Sequence, residues 1–205
     1  MPDLSHEAHW RAAGFLCIAG IDEAGRGPLA GPVTAAAVVL PPDFVHTVLN
    51  DSKQLSEKKR EILYAELTTD PRIRWASASV GAEEIDRINI LRATHLAMAH
   101  AFGKLSPSPD LALIDGKPVK NFPAEHRAIV GGDSLSLSIS AASIIAKVER
   151  DRVMREAARL YPEYGFENHK GYGTAEHLAA LRTLGPCPLH RRSFAPVAQR
   201  ELDFG

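Results

Sequence analysis

Three short apolar runs in this chain end in carboxylates. Residues 17–23 read CIAGIDE, residues 111–116 read LALIDG and residues 126–133 read HRAIVGGD. Each run has the length of a buried strand and is too short for a core helix. Asp22, Glu23, Asp115 and Asp133 therefore stand where strands leave a core. In open α/β sheets, sites form where loops leave the strand ends. A chain built this way gathers negative charge in one place. It must supply a counter-charge there or keep some of the acids protonated.

The rest of the pattern is α/β. Residues 33–41 read as a second strand stopped by Pro41 and Pro42, and residues 72–81 as a third. The glycine-rich turn between the first two strands predicts a hairpin. Ser56 is placed to cap a helix over 57–68. Residues 83–103 read as one helix with Ile85, Ile88, Leu91, His95, Met98 and Phe102 on one face, and residues 138–160 as a long helix. The tail, 174–205, reads as one helix and a proline-rich finish. The expectation is a mixed central sheet flanked by helices. At 205 residues the chain suits one domain with a real core. No run of about 18 apolar residues predicts a membrane span, and the first residues lack the apolar stretch of a secretory signal. Cys17 and Cys187 are far apart, which predicts free thiols and a cytoplasmic protein. A net charge of −1 means that any polyanion must be met by a local basic patch.

Carboxylates without a histidine partner suit hard cations such as Mg²⁺ or Mn²⁺. Two such ions about 4 Å apart clamp the attacking and leaving oxygens of a phosphoryl displacement. The competing reading makes each acid a turn or cap residue. Side chains adjacent on a strand point to opposite faces. Asp22 and Glu23 therefore share a site only if the backbone turns, and that turn is predicted to begin at Glu23. Gly25, Arg26 and Gly27 follow, where bare backbone can approach a ligand and an arginine fork can meet a phosphate. A tight hairpin with a solvated arginine is the plainer reading. The segment lacks the Gly-Lys-Ser/Thr ending of a nucleotide P-loop. Ser143, Lys147 and Arg150 fall on one helix face, which predicts Ser143 and Lys147 near the acids or a backbone phosphate. Lys53, Arg191 and Arg192 are further phosphate candidates, and His169, His177 and His190 read as structural.

The segments GIDEAGRGPLAGPVTAAAVVL, DSKQLSEKKRE, LIDG, GGDSLSLSISAASIIAKVERDRVM, HKGYGTAEH and HRRSFAPV resemble bacterial ribonuclease HII, the type 2 ribonuclease H. They occur in order and cover nearly the whole chain. The resemblance implies a ribonuclease H-like fold with a small helical C-terminal part. It divides the chain into a flexible segment over 1–16, a catalytic domain over 17–160, and a helical region over 161–205 that completes the substrate site. It implies an endonuclease that hydrolyses the RNA strand of RNA–DNA hybrids and nicks 5′ of single ribonucleotides in duplex DNA. The products carry a 3′-hydroxyl and a 5′-phosphate. The implied cofactors are two divalent ions, Mn²⁺ or Mg²⁺, on Asp22, Glu23, Asp115 and Asp133. Gly25, Arg26 and Gly27 are the implied ribose readers, and Tyr172 packs on the adjoining deoxyribose. A monomer is implied. Two other readings compete. One is a related two-metal DNA nuclease, which would cut plain duplex DNA. The other is a non-catalytic nucleic-acid-binding module, which four intact acids disfavour.

Overall fold

A computed structural model describes residues 1–49, 52 and 55–202. The strands are β1 (Ile18–Ala24), β2 (Val33–Val39), β3 (Arg74–Val80), β4 (Leu111–Asp115) and β5 (His126–Ile129). The helices are α1 (Ser5–Ala12), α2 (Glu57–Thr69), α3 (Ala82–Ile88), α4 (Ile90–Gly103), α5 (Leu137–Leu160), α6 (Phe166–His169), α7 (Ala175–Leu184) and α8 (Ala195–Leu202). The sheet order is β3-β2-β1-β4-β5. β1, β2 and β3 form an antiparallel meander, while β4 and β5 join parallel to β1. The mixed sheet flanked by helices is as the sequence predicts.

Alternation along β1 and β2 builds two cores. Ala19, Ile21, Ala35 and Ala37 face α4, packing with Ala97, Met98 and Phe102. Ala36 and Val38 face α2 and α5, packing with Leu63, Leu67, Ile144 and Ile145. Burying each large aliphatic side chain contributes ~1.5–3 kcal/mol. The alanine run in β2 keeps both helix layers close to the sheet. Gly20 does the same for α5: a Cβ there would overlap the backbone of Ser138 and Ile139. The start of α5 is thereby pressed against β1, just ahead of Asp22.

Several expectations need correction. β1 does not turn at Glu23 but stays paired through Ala24, opposite Thr34. The reversal begins at Gly25, with φ +95°. The helix expected over 83–103 is two helices broken at Asn89 (φ 69°), whose side chain accepts the Arg92 N–H at 3.1 Å and caps α4. The break shifts the buried face to Ala93, Thr94, Ala97, Met98, Ala101 and Phe102, and leaves Leu91 half exposed. β5 ends at Ile129, so Asp133 lies on a short 3₁₀ turn over Gly132–Ser134. The tail holds a second helix, α8, where a plain proline-rich finish was expected.

Residues 1–16 were expected to be flexible, yet α1 is docked. Glu7 is 1% exposed and accepts from Ser136 Oγ (2.6 Å), Ser138 N (3.0 Å) and Ser138 Oγ (2.6 Å). A carboxylate at a helix N-terminus meets unpaired N–H groups and the positive end of the dipole. Arg127 stacks over the Trp10 ring at 4.5 Å, a second contact of α1 with the domain.

Candidate active site

The parallel register sets Ile21 beside Ile114, so Asp22 and Asp115 follow side by side on neighbouring strands. Asp22 lies opposite Ala36 and therefore points to the α5 layer. Glu23 lies opposite Ala35 and points to the α4 layer. The acids thus straddle the end of the sheet and need no turn to be neighbours. Glu23 and Asp115 line a cleft of about 340 Å³ with Arg26, Thr94, His95 and Lys117.

Asp22 is buried at the bottom of this group. Burial, then the charges of Glu23 and Asp115, hold its carboxyl well above the usual range. The Glu23 N–H, donating to Asp22 Oδ1 at 2.7 Å, and the Ser143 hydroxyl act the other way. Asp115 Oδ1 accepts the Gly132 N–H at 2.7 Å, which ties the Asp133 turn to the end of β4. Asp133 itself is buried on that turn. Among the described residues, no three His, Cys, Asp or Glu side chains are drawn into a ready-made ligand cage. The donor set is nevertheless all oxygen, with mutual repulsion around a buried carboxyl. That chemistry fits hard divalent cations.

Next to the acids, residues 25–32 form a loop in which Leu29 O accepts the Arg191 N–H at 2.8 Å, while the carbonyls of Gly25, Arg26, Ala30, Gly31 and Pro32 meet side-chain donors. Two buried arginines supply the donors. Arg191, 0% exposed, donates from Nε to Gly31 O (3.0 Å), from Nη1 to Arg26 O (3.0 Å) and from Nη2 to Gly25 O (2.6 Å). Arg150, also 0% exposed, donates from Nε to Pro32 O (3.0 Å) and from Nη2 to Lys170 O (2.9 Å) and Ala30 O (3.3 Å). Burial and the nearby Arg150 push Arg191 down to about 9, so it is still a cation at neutral pH. A Cβ on Gly25 would overlap the Arg150 side chain and lie 2.7 Å from Pro32 O, which explains glycine at that position.

The Leu29 N–H donates to Gly171 O at 2.8 Å and stitches this loop to the segment carrying Tyr172. The Tyr172 ring is 44% exposed, beside Gly27: a Cβ built on Gly27 would lie 3.9 Å from Tyr172 Cε1. Arg150 lies 5.8 Å from the ring centroid on its inner side. Arg26, Gly27 and Tyr172 are exposed together, with Gly25 buried beneath them against Arg150. Arg26 is half exposed and spans 3.3 Å to Glu23 Oε1.

The other predicted residues divide. The Ser143 hydroxyl is bonded to Asp22, and its oxygen lies 2.8 Å from Ser52 Oγ, joining α5 to Ser52. Lys147 pairs with Asp151, its Nζ 2.6 Å from Asp151 Oδ1. Arg191 is no phosphate ligand, because its fork is committed to carbonyls. Lys53 lies outside the described residues. The sequence reading missed that Arg150 and Arg191 build the loop. The available signal was a glycine- and proline-rich turn that cannot satisfy its own carbonyls.

The chain is similar to known proteins along most of its length. A family model described as Ribonuclease HII matches residues 19–197. A ribonuclease HII of Cereibacter sphaeroides (strain KD131) is 56% identical over 197 residues, covering 96% of this chain and 92% of that protein. The crystal structure of ribonuclease H2 from Pyrococcus horikoshii OT3 superposes with TM-score 0.77 at 27% identity, covering 92% of this chain and 99% of that one. The crystal structure of a ribonuclease HIII, Bst-RNase HIII in complex with Mn²⁺, shares the fold: TM-score 0.68, 17% identity, 93% of this chain and 70% of that one.

Proposed function

The chain belongs to the ribonuclease HII family, and on that premise we propose that it is an endoribonuclease with two tasks: cleaving the RNA strand of RNA–DNA hybrids, and nicking duplex DNA 5′ of a single embedded ribonucleotide. The observation that carries the reading is the contact between two surfaces. The acids at the end of β1 and β4 adjoin the glycine-arginine loop and Tyr172. One surface handles a phosphodiester and the other reads the sugar beside it.

Asp22, Glu23, Asp115 and Asp133 would hold the metal. Divalent ions bound there supply positive charge to the phosphate oxygens and lower the pKa of the attacking water. The chain's own residues do the rest. Burial and the charges of Glu23 and Asp115 hold the Asp22 carboxyl above its usual range, and positive charge placed beside it would relieve that repulsion. The Gly25–Gly27 backbone lets a sugar come close, and only a 2′-hydroxyl distinguishes ribose from deoxyribose there. Arg150 and Arg191 fix that backbone before substrate arrives, so little ordering is left to binding. Tyr172 offers its ring to the adjoining deoxyribose. Ser143 orients Asp22. The products carry a 3′-hydroxyl and a 5′-phosphate, and the enzyme acts as a cytoplasmic monomer on nucleic acid. Among the described residues no helix is long and apolar enough to cross a membrane. That the related Bst protein was crystallised with Mn²⁺ supports Mn²⁺ or Mg²⁺ as cofactor.

The test is cleavage of an end-labelled RNA–DNA hybrid with Mn²⁺, with Mg²⁺ and with EDTA, by the parent chain and by Asp22→Asn and Asp115→Asn. The reading expects metal-dependent cutting of the RNA strand alone and a loss of at least about 100-fold in either variant. Full activity in EDTA, or in both variants, refutes it.

A further inference from the structure

The C-terminal part buries three histidines that the reaction described above does not use: His169, His177 and His190. They form a chain whose direction the backbone dictates. The Cys187 N–H donates to His190 Nδ1 at 3.0 Å, so that nitrogen carries no proton. The neutral ring then has its proton on Nε2, which is 2.9 Å from His177 Nε2. His177 must accept there, so its own proton sits on Nδ1, 2.9 Å from the Tyr172 carbonyl. His169 is fixed in the same way. It accepts the Gly171 N–H on Nδ1 at 3.2 Å and reaches Tyr164 O from Nε2 at 2.8 Å. Its ring stacks on His177 with centroids 4.4 Å apart.

His190 and His177 are therefore each held in one neutral tautomer. The surroundings agree. Burial, then His177, pushes His190 down to about 4, and burial also lowers His177. Charged and titratable groups that face the pair are His169 from α6, Glu176 from α7, and Arg192 and Cys187 from the connecting segments. The Tyr164 and Phe166 rings close the remaining side, at 5.1 Å and 5.8 Å from His190. The chain ends on the peptide of Tyr172, whose ring stands beside Gly27.

We propose that His190 and His177 are positioning residues for sugar recognition: a one-way hydrogen-bond chain from the Cys187 amide to the Tyr172 carbonyl that sets where the tyrosine ring stands. The proposal rests on Tyr172 being a substrate contact. It separates the two histidines from the metal chemistry, so their loss weakens binding and leaves turnover of bound substrate intact.

Two measurements test it. The first needs no activity: ¹⁵N–¹H NMR of the imidazoles at neutral pH. The chain requires His190 protonated on Nε2 only and His177 on Nδ1 only. Any other tautomer, or a cationic ring, overturns it. The second is steady-state nicking of a duplex with one ribonucleotide. His177→Phe keeps the volume and loses the donor, so KM rises about tenfold with kcat unchanged. His177→Asn keeps a donor towards Tyr172 and restores most of the KM. His190→Phe raises KM less, and His190→Gln restores it. Melting temperatures confirm that the variants are folded, and the NMR test stands if one of them is not. Unchanged KM in His177→Phe, while Tyr172→Ala raises it, overturns the positioning role alone. Unchanged KM in Tyr172→Ala removes the role of Tyr172 and the proposal with it.

Discussion

Replacing Arg191 by Met removes three charged donors from the loop and keeps much of the side-chain volume. In the folded chain those donors hold Gly31 O, Arg26 O and Gly25 O at 3.0, 3.0 and 2.6 Å. Hydrogen bonds from a charged group are worth ~1.5–3 kcal/mol each. Bonds that share one guanidinium do not add. The variant leaves three carbonyls without a donor, each costing ~1–3 kcal/mol, so the loss is about 3–5 kcal/mol in all. For a chain of this size that lowers Tm by roughly 10 °C. The proposed sugar-reading surface lies on this loop, so KM for a single-ribonucleotide duplex should rise in parallel. Arg191→Lys recovers little, because a compact ammonium cannot span three carbonyls. The assay is thermal melting by circular dichroism beside nicking kinetics across a salt series. A phosphate-binding arginine behaves differently: its loss leaves Tm in place and flattens the salt dependence of binding. A variant that melts within about 2 °C of the parent and shows that flattened salt dependence refutes the scaffold argument.

Gly25→Ala forces a Cβ into the Arg150 side chain at φ +95°; it should cost ~1–3 kcal/mol in urea unfolding and raise KM more than it lowers kcat. Glu7→Ala leaves Ser136 and Ser138 without their buried acceptor. It should cost ~2–4 kcal/mol, read as an earlier urea midpoint at unchanged slope. His190 carries a pH signature. Its value falls from 6.5 to about 4 on folding, so the unfolded chain binds more protons between those values. The stability linked to it is therefore full above about pH 6.5 and fades towards pH 4, on the order of 3 kcal/mol in all. Urea titrations across that range should show the loss in the parent chain and a flatter profile in His190→Phe.

The candidate acids were legible because their signal is local. Asp22, Glu23 and Asp115 end apolar runs, and the register of β1 against β4 then makes them neighbours. Boundaries were less legible where one residue overrides a pattern. Asn89 breaks a continuous helical period by adopting positive φ and capping the next helix. The turn forecast at Glu23 failed because strand pairing through Ala24 outweighs the freedom of the glycines beyond it. Long-range polar anchors were not legible at all. Glu7 meets Ser136, and Arg191 meets Gly25, across more than half the chain. A buried arginine and a phosphate-binding arginine look alike in sequence. Lys147 shows the same ambiguity: its spacing from Ser143 is as predicted, yet its partner is Asp151 one turn along. The acids stand out in the sequence because they end apolar runs, whereas Arg150 and Arg191 declare themselves only through the carbonyls they satisfy.

The central claim is that the acid cluster and the glycine-arginine loop act together, cutting beside a ribose and nowhere else. One measurement tests it most directly: nicking of a labelled DNA duplex with a single ribonucleotide, beside the same duplex in DNA alone, with Mn²⁺ or Mg²⁺. The account predicts one metal-dependent nick on the 5′ side of the ribonucleotide, none in the all-DNA duplex, and none with Asp22→Asn. Comparable cutting of both duplexes would contradict it, showing an acid cluster at work without any reading of the sugar.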